Sequence, residues 1–292
     1  MKEAVWIAAG VLVLCALVFF FWYQNNGLSV TRYRLKGMRV ARPMKIVHLS
    51  DLHSKRFGRD NAKLFALVAS CSPDLVAITG DLIDDSDRDF CRTAQIIGRL
   101  CRLAPVVYIP GNHEHRSRDY LSSLEAIRQE RAVLLQNEQV SLTVAGTPVT
   151  VLGLEERQGT YRSYRKMRQG KYRYRDYSEQ FHALSQRPGL RLVLCHYPEN
   201  FAITGNKAYC RYDFDLQLSG HAHGGQWRLP FVGGLYAPGQ GLFPKYVTGV
   251  FGGHPKMVVS RGLGPSSFPL RLFNRPEVVE ITLTNDPEEA GS

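Results

Sequence analysis

The sequence lacks any Cys-x-x-Cys pair, although it contains six cysteines spread over 292 residues. Cysteines at that spacing are common ligands of structural zinc, so their absence argues against this class of site. A chain of this length can also build a full hydrophobic core without disulfide staples. Free thiols in a reducing compartment are therefore expected, with a disulfide between distant cysteines left open, for Cys15, Cys71, Cys91, Cys101, Cys195 and Cys210.

Acidic side chains are scarce relative to basic ones. The 26 Asp and Glu residues stand against 37 Lys and Arg residues, which gives a formal net charge of +11. A protein with this balance attracts anionic partners, such as nucleic acid, acidic lipid headgroups or phosphorylated substrates. The chain has no internal repeat, and its length allows one large domain or two small ones.

Charged side chains are absent from the segment Val5–Tyr23. A helix rises about 1.5 Å per residue, so this segment can nearly span a hydrocarbon core of roughly 30 Å. Trp6 at one end and Trp22 and Tyr23 at the other suit the membrane interface. The alternative is a cleaved secretory signal, whose apolar region is shorter and is followed by small residues. We predict a retained anchor, which makes the chain a single-pass protein of the cell membrane with the lipid bilayer as a partner.

Basic residues follow the apolar segment more densely than they precede it. Lys2 stands before it, and five basic residues follow closely: Arg32, Arg34, Lys36, Arg39 and Arg42. Positive-inside counting favours the cytoplasmic face for the rest of the chain. The extracytoplasmic face stays open as the alternative, because these arginines can instead belong to the start of the folded domain.

Short apolar runs alternate with helical periodicity in the next part of the chain. Strands are predicted at 45–49, 75–78 and 106–109, and helices at 61–70, 90–102 and 120–130. This alternation favours an α/β layered fold. Strand signals then dominate, with a hairpin at 140–144 and 149–154 and strands at 192–195, 216–218, 257–260 and 278–283. We therefore predict two packed sheets with helices outside them.

Side chains suited to metal binding follow the ends of these strands. They are Asp51, His53, Asp81, Asn112, His113, His196, His221 and His223. Loops at the carboxyl ends of strands carry ligand-binding groups in α/β sheets. A single Asp-x-His or a single strand-end histidine is weak evidence. The convergence of the whole set is what a metal site built from separate loops requires.

The ordered blocks D-x-H, GD, GNH[DE], H and GHxH resemble the calcineurin-like metallophosphoesterase family over roughly 44–283. The resemblance implies an α/β fold, the four-layer αββα sandwich. It assigns one metal ion to Asp51, His53, Asp81 and His223, and a second to Asp81, Asn112, His196 and His221. His113 would be catalytic and would lie beside the scissile phosphate. Glu114, where many members have Asp, would orient His113.

Two divalent ions about 3.5–4 Å apart can clamp phosphoryl oxygens and activate a water molecule. Mixed carboxylate, imidazole and amide ligands favour Mn, Fe or Zn over Ca or Mg, and the sequence does not choose among the three. An imidazole such as that of His113 can serve as general acid. The expected protein is a phosphoric ester or pyrophosphate hydrolase with two divalent metal ions as cofactors.

Two glycine-rich segments extend the resemblance to a narrower group within this family. Residues 224–226 (Gly-Gly-Gln) and 260–264 (Ser-Arg-Gly-Leu-Gly) resemble bacterial membrane-linked or exported metallophosphoesterases. That group includes a UDP-2,3-diacylglucosamine hydrolase of lipid A biosynthesis, which implies an anionic, lipid-linked substrate. A nucleotide or nucleic-acid phosphodiesterase is the alternative, although a membrane anchor argues against polymeric nucleic acid. A non-catalytic metal-binding scaffold is a third reading, which the intact set of site residues disfavours.

The expected organisation is a tail at 1–4, a membrane anchor at 5–23, a basic linker at 24–43, a metallophosphoesterase domain at 44–284 and an acidic tail at 285–292. Within the domain, 157–177 is a basic, tyrosine-rich insertion. Such a segment binds anionic headgroups, stacks on nucleic-acid bases or is simply solvated. Its candidate substrate-binding residues are Arg162, Arg165, Lys166, Arg168, Lys171, Arg173 and Arg175.

A second loop is apolar and rich in glycine. It contains Phe231, Leu235, Tyr236, Leu242, Phe243 and Tyr246. This loop either cradles an acyl chain or packs over the domain, and the second reading is favoured. The oligomeric state leaves no trace in the sequence.

Overall fold

The structure is a computed structural model that describes residues 2–87, 89–117, 120–155, 176–202, 208–266 and 268–287. Its helices in these ranges are α1 (Lys2–Asn26), α2 (Ala62–Ser70), α3 (Phe90–Cys101), α4 (Asn112–Arg116), α5 (Tyr120–Arg128) and α6 (Ser178–Ser185). The helices predicted at 61–70, 90–102 and 120–130 are thus confirmed as α2, α3 and α5.

The strands are numbered in chain order. They are β1 (Ser29–Leu35), β2 (Met44–Leu49), β3 (Leu75–Ile78), β4 (Val106–Tyr108), β5 (Val133–Leu134), β6 (Glu138–Val144), β7 (Thr147–Leu154), β8 (Leu190–Cys195), β9 (Leu216–Ser219), β10 (Arg228–Leu229), β11 (Gly233–Gly234), β12 (Tyr236–Ala237), β13 (Gly241–Leu242), β14 (Gly249–Phe251), β15 (Lys256–Val259) and β16 (Glu277–Leu283). The predicted hairpin is confirmed, since β6 and β7 pair antiparallel from Val144↔Thr147 outward.

Two six-stranded sheets carry the site. The first has the order β1-β16-β2-β3-β4-β5, with β2 to β5 mutually parallel. The second has the order β14-β15-β9-β8-β7-β6, with β7, β8, β9 and β15 mutually parallel. Parallel strands end at the same edge of their sheet, so the loops that follow them gather there.

The apolar side chains divide the domain into layers. Ile46 and Val107 of the first sheet and Val151 and Leu192 of the second share a core cluster between the sheets, and all four are fully buried. The outer face of the first sheet packs against α2, α3 and α5. The outer face of the second packs against α6 and neighbouring loops. The predicted four-layer αββα sandwich is therefore confirmed.

Residues 29–35 form a strand, where the sequence analysis expected part of a linker. β1 runs parallel to β16 along its whole length, from Ser29↔Glu277 to Leu35↔Leu283. Tyr33 and Leu35 pack inward, and Arg32 and Arg34 are exposed. This alternation has the period of a strand, but the arginines obscured it. Arg32 and Arg34 therefore belong to the folded domain. This is the alternative given above, and under it the count of basic residues does not decide the membrane orientation.

α1 contains the apolar segment predicted at 5–23. Among the described residues it is the helix whose length and composition suit a membrane span, and a signal sequence has the same properties. Its apolar side chains are exposed, so it adds nothing to the core over most of its length. Its final turns contact the domain, where the rings of Phe20 and Phe273 lie 5.6 Å apart between centroids.

Candidate metal centre

The seven candidate ligands lie together where the loops of both sheets converge. Asp51 and His53 follow β2, Asp81 follows β3, and Asn112 begins α4 after β4. From the second sheet, His196 follows β8, and His221 and His223 follow β9. Their exposed fractions run from 0 to 8%, so the whole set is buried.

Five of these residues adopt a backbone conformation that is rare for side chains other than glycine. They are Asp51, His53, Asp81, His221 and His223, with φ between 46° and 65°. Backbone conformations of this kind cluster at functional sites, because the surrounding structure holds them there. The loops are also tightly packed. A Cβ atom at Gly111 would lie 2.2 Å from Asp81 Oδ1, and one at Gly220 would lie 2.4 Å from Asp51 Oδ2.

The first cluster joins Asp51, His53 and His223, with one donor atom from each within 4.8 Å of the others. His53 Nε2 lies 3.3 Å from His223 Nε2, and His223 Nε2 lies 3.4 Å from Asp51 Oδ1. Donors that share one metal ion at about 2.0–2.2 Å are spaced roughly 3–3.5 Å apart. The spacing of the imidazole nitrogens therefore fits a metal ion.

The second cluster joins Asp81, His196 and His221 in the same way. His196 Nε2 lies 3.3 Å from Asp81 Oδ2 and 3.2 Å from both His221 Nδ1 and Asn112 Oδ1. Asp81 Oδ2 is also 3.7 Å from His53 Nε2 of the first cluster. Asp81 thus stands between the two clusters, in the position that the family resemblance assigned to a shared ligand.

Burial determines the protonation of most of these groups. It lowers the pKa of His53 to about 4 and holds the pKa values of His221 and His223 well below 6.5. Neutral imidazoles offer the lone pairs that a metal ion needs. Burial opposes the ionisation of Asp81, but nearby His196 outweighs it and holds the pKa of the Asp81 carboxyl well below its usual range. A positive charge is therefore favoured beside Asp81.

Hydrogen bonds behind the donors orient them. His196 Nδ1 lies 2.6 Å from the carbonyl oxygen of Thr79, so Nδ1 carries a proton. Burial lowers the pKa of His196, but Asp81 and Asp51 outweigh it and raise this pKa to about 10, so a metal ion would displace a second proton from Nε2. The Asp51 carboxylate accepts from the backbone N–H of His221 at 3.0 Å. Such partners fix the orientation of metal ligands and raise their affinity. The donor set and its supports fit a pair of divalent ions, although the individual ligand assignments stay predictions.

His113 lies at the edge of the clusters. Its ring centroid is 4.4 Å from that of His53, and its side chain is 22% exposed. Its Nδ1 lies 3.7 Å from carboxylate oxygens of Asp84 and Asp85. The sequence analysis missed Asp84, which also lies 3.9 Å from His53 Nδ1. The sequence feature that could have indicated Asp84 is its position in the loop after β3, three residues after Asp81.

The expectation that Glu114 orients His113 is wrong. Its carboxylate is fully buried and accepts hydrogen bonds from the backbone N–H groups of Gly111 and Asp81 at 2.8 Å and of Leu82 at 2.7 Å. A carboxylate with several acceptor positions suits these unpaired loop amides. Glu114 therefore holds the loop that positions Asp81.

A cavity of about 190 Å³ opens beside the clusters. Five candidate ligands line it together with Asp84 and His113, and Arg116, Pro238, Pro265 and Ser266 complete its lining. Arg116 was missed by the sequence analysis, although it lies four residues after Asn112, the spacing that places two side chains on one face of α4. Arg271 was also missed. It is fully buried, and its Nη2 lies 3.5 Å from His223 Nδ1.

The basic insertion and the apolar loop are the two remaining segments that the sequence analysis singled out. The seven basic candidates from Arg162 to Arg175 lie outside the described residues. In the apolar loop, Tyr246 is buried, but Phe231, Tyr236, Leu242 and Phe243 are exposed. The favoured expectation that this loop packs over the domain is wrong for those four residues, because the short hairpins β10–β11 and β12–β13 leave them open to solvent.

Comparison with known proteins gives a consistent result. A family model described as calcineurin-like phosphoesterase matches residues 44–225. The chain is 31% identical over 278 residues to the uncharacterized metallophosphoesterase YkuE of Bacillus subtilis, covering 90% of this chain and 87% of that protein. It is 28% identical over 283 residues to phosphodiesterase YaeI of Escherichia coli, covering 94% and 96%. It is also 28% identical over 248 residues to the uncharacterized metallophosphoesterase YkoQ of Bacillus subtilis, covering 83% and 84%.

The matched residues include every candidate ligand and His113, and the match covers more than half of the chain. Proteins of this family use a dinuclear divalent metal centre, and the two clusters that meet at Asp81 supply the carboxylate and imidazole donors for one. The chain belongs to the calcineurin-like phosphoesterase family of metal-dependent phosphoester hydrolases.

Proposed function

We propose that this enzyme hydrolyses a phosphodiester or pyrophosphate bond of a lipid-linked substrate, such as UDP-2,3-diacylglucosamine in lipid A biosynthesis. In this proposal α1 anchors the chain in the cell membrane as a single span, with the catalytic domain on the cytoplasmic face. The observation that carries the proposal is the short path from α1 to the metal centre. The backbone N–H of Arg271 donates to Asn25 Oδ1 at 2.9 Å. The side chain of Arg271 lies beside His223, with Nη2 at 3.5 Å from His223 Nδ1.

The cavity favours a diester over a monoester. Among its described lining residues, Arg116 is the one Lys or Arg. Its guanidinium can bind a non-bridging phosphoryl oxygen. Pro238 and Pro265 line the same cavity and offer apolar contact for a second ester substituent. A monoester has no such substituent and would leave this contact unused.

The residues of the site divide the chemistry among them. When bound, two divalent ions supply the positive charge that clamps the phosphoryl oxygens and activates water. His113 Nδ1 lies 3.3 Å from the backbone N–H of Asp85 and 3.7 Å from the carboxylates of Asp84 and Asp85, so Nε2 is the ring nitrogen left to face a substrate. When the ring carries a proton on both nitrogens, His113 can give its Nε2 proton to the leaving oxygen as general acid and is left as the neutral imidazole. Arg116 lines the same cavity as His113 and can bind a non-bridging oxygen of the phosphoryl group.

A nucleotide or nucleic-acid phosphodiesterase is the second candidate, because a net charge of +11 also suits a polyanion. A metal-binding scaffold without activity would not need His113 and Arg116 beside an intact donor set. The substrate test separates these readings.

The test uses the full chain in phospholipid vesicles, loaded separately with Mn, Fe and Zn. Rates are compared on UDP-2,3-diacylglucosamine, bis-p-nitrophenyl phosphate, p-nitrophenyl phosphate and a single-stranded oligonucleotide. His113→Ala serves as the inactive variant, and His182→Ala on the exposed face of α6 is its matched control. We expect preferential cleavage of the lipid-linked pyrophosphate. Cleavage of the generic diester alone would contradict the lipid assignment, and preference for the oligonucleotide would establish the second candidate.

A further inference from the structure

Large apolar side chains stand exposed around the mouth of the metal centre. Six of them define what we call the apolar collar: Phe231, Val232, Leu242, Phe243, Phe268 and Phe273. Their exposed fractions run from 46% at Phe268 to 109% at Phe231. Contiguous apolar surface of this kind marks a site of contact with another molecule or with a membrane.

The separate segments that carry the collar are joined to one another. Trp227 joins them, since its ring lies 5.1 Å from that of Phe268 and its backbone forms a bridge with Leu272. Its carbonyl oxygen accepts from the N–H of Leu235 at 2.9 Å, and the carbonyl of Leu235 accepts from Phe243 at 2.9 Å. The hairpins β10–β11 and β12–β13 are thereby tied to the segment 268–273.

The same segments form the mouth of the cavity. Pro238 follows β12 directly, and Pro265 and Ser266 come just before Phe268. A surface that contacts the collar would therefore also face the opening of the metal centre.

The position of α1 identifies the occupant. Phe273 packs against Phe20, which lies within the apolar segment 5–23. If that segment crosses a bilayer, a side chain that touches Phe20 lies at the level of the membrane boundary. Tyr23 is one turn further along, and the Arg275 guanidinium lies 4.9 Å from its ring centroid, a pairing suited to the headgroup region.

The charge of this region fits an anionic lipid surface. Between Asp215 and Glu277 the chain contains no Asp or Glu. Of its six basic residues there, Arg271 is fully buried and Arg261 pairs with Glu277, which leaves Arg228, Lys245, Lys256 and Arg275. Lys245 is exposed and lies two residues after Phe243 of the collar. Basic residues beside exposed aromatic and aliphatic groups are attracted to anionic headgroups.

We propose that the apolar collar inserts into the bilayer interface beside α1 and holds the mouth of the metal centre against anionic headgroups. The inference rests on the proposed function in taking α1 as a membrane span. It adds a second membrane contact, so that a phosphoester at headgroup level reaches the metal centre without leaving the bilayer. Rotation of the domain about the end of α1 is then restricted.

Photo-cross-linking of the full chain in phosphatidylglycerol-containing vesicles tests the proposal. p-Benzoylphenylalanine replaces Phe231 or Leu242 of the collar, or Leu121 of α5 as the control. Leu242 and Leu121 are matched, because their exposed fractions are 73% and 77%. After irradiation, we expect adducts with radiolabelled lipid at positions 231 and 242 and none above background at position 121.

Lipid labelling at 231 and 242 no stronger than at 121 would overturn the proposal. So would an adduct with a second protein chain, which would make the collar a protein interface. The experiment needs no turnover, so it is independent of the substrate test. Lipid adducts together with failure to cleave any lipid-linked substrate would leave the collar assignment standing and reject the proposed function.

Discussion

The end of α1 and the metal centre are joined through Arg271, whose backbone N–H donates to Asn25 Oδ1 at 2.9 Å. The side chain of Arg271 is fully buried, and its Nε donates to the carbonyl oxygen of Gly264 at 3.0 Å. Burial lowers the pKa of this guanidinium to about 10, so it stays charged at neutral pH. A buried cation thus lies between the helix and His223.

Replacing this cation should weaken metal binding. We expect Arg271→Met to lower metal affinity by about 10–100-fold. Its guanidinium donates to the carbonyl oxygens of Gly264 and Asn274, and the Asn274 amide donates to the carbonyl oxygen of His223, so Arg271 holds the loop that positions this candidate ligand. Isothermal titration with Mn measures the effect. Arg275→Met, which removes an arginine four residues away, is the control. Equal affinities in the two variants would contradict the role of Arg271.

Asp81 is the residue on which both clusters depend. Asp81→Ala should remove most bound metal and abolish activity, because its Oδ2 lies within 3.7 Å of a donor in each cluster. Metal content by mass spectrometry and turnover of a diester give the two readouts. Asp286→Ala, which alters an exposed carboxylate, should change neither. A variant at Asp81 with two metals and near-normal turnover would reject the two-cluster assignment.

His113 should separate chemistry from metal binding. We expect His113→Ala to retain its metal and to lose roughly 10²–10⁴-fold in kcat, the usual contribution of a general acid. A leaving group of low pKa needs less protonation, so the loss should be smaller on an activated diester. Loss of metal in this variant would instead identify His113 as a ligand.

Glu114 should matter for stability as well as for activity. Glu114→Ala leaves three buried N–H groups without their acceptor, and each costs about 1–3 kcal/mol in the free energy of unfolding. Urea denaturation measures this loss. Glu125→Ala on the exposed surface of α5 should cost about 0–1 kcal/mol. A similar small cost at Glu114 would show that the loop of Asp81 does not depend on this carboxylate.

Acid should weaken an ion pair far from the metal centre. Arg191 is fully buried and forms two bonds of 2.7 Å to Asp213, and this pairing lowers the pKa of the Asp213 carboxyl. A lowered folded-state pKa gives stability that is present above about pH 4 and is lost as the pH falls through the folded value. The difference in urea midpoint between wild type and Asp213→Asn should therefore shrink between pH 5 and pH 2. A constant difference would contradict this assignment.

Much of the site could be predicted from the sequence because its residues follow strand ends in short ordered blocks. Asp51 and His221 belong to different sheets, yet each block identifies its own loop. Arg271 belongs to no such block. It reaches the site because β16 and the segment before it return to the first sheet, a long-range contact that local pattern does not encode.

Exposure was the weakest part of the sequence interpretation. Phe243 and Tyr246 lie three residues apart in one aromatic loop, but Phe243 is 67% exposed and Tyr246 is 4% exposed. Both are aromatic residues of the same loop, so the sequence does not distinguish them. The geometry of the hairpins decides which one faces the core. β1 was missed for a related reason, since its partner strand is remote in sequence and its arginines resemble those of a linker.

The pairing of β1 with β16 has a consequence for how the protein is made. Arg32 and Glu280, which pair across these strands, are 248 positions apart. The ribosome therefore releases β1 long before β16, the strand with which it pairs. Until β16 and the segment before it have been made, β1 lacks this partner and Arg271 is not behind His223. The complete metal centre can form only after both have emerged.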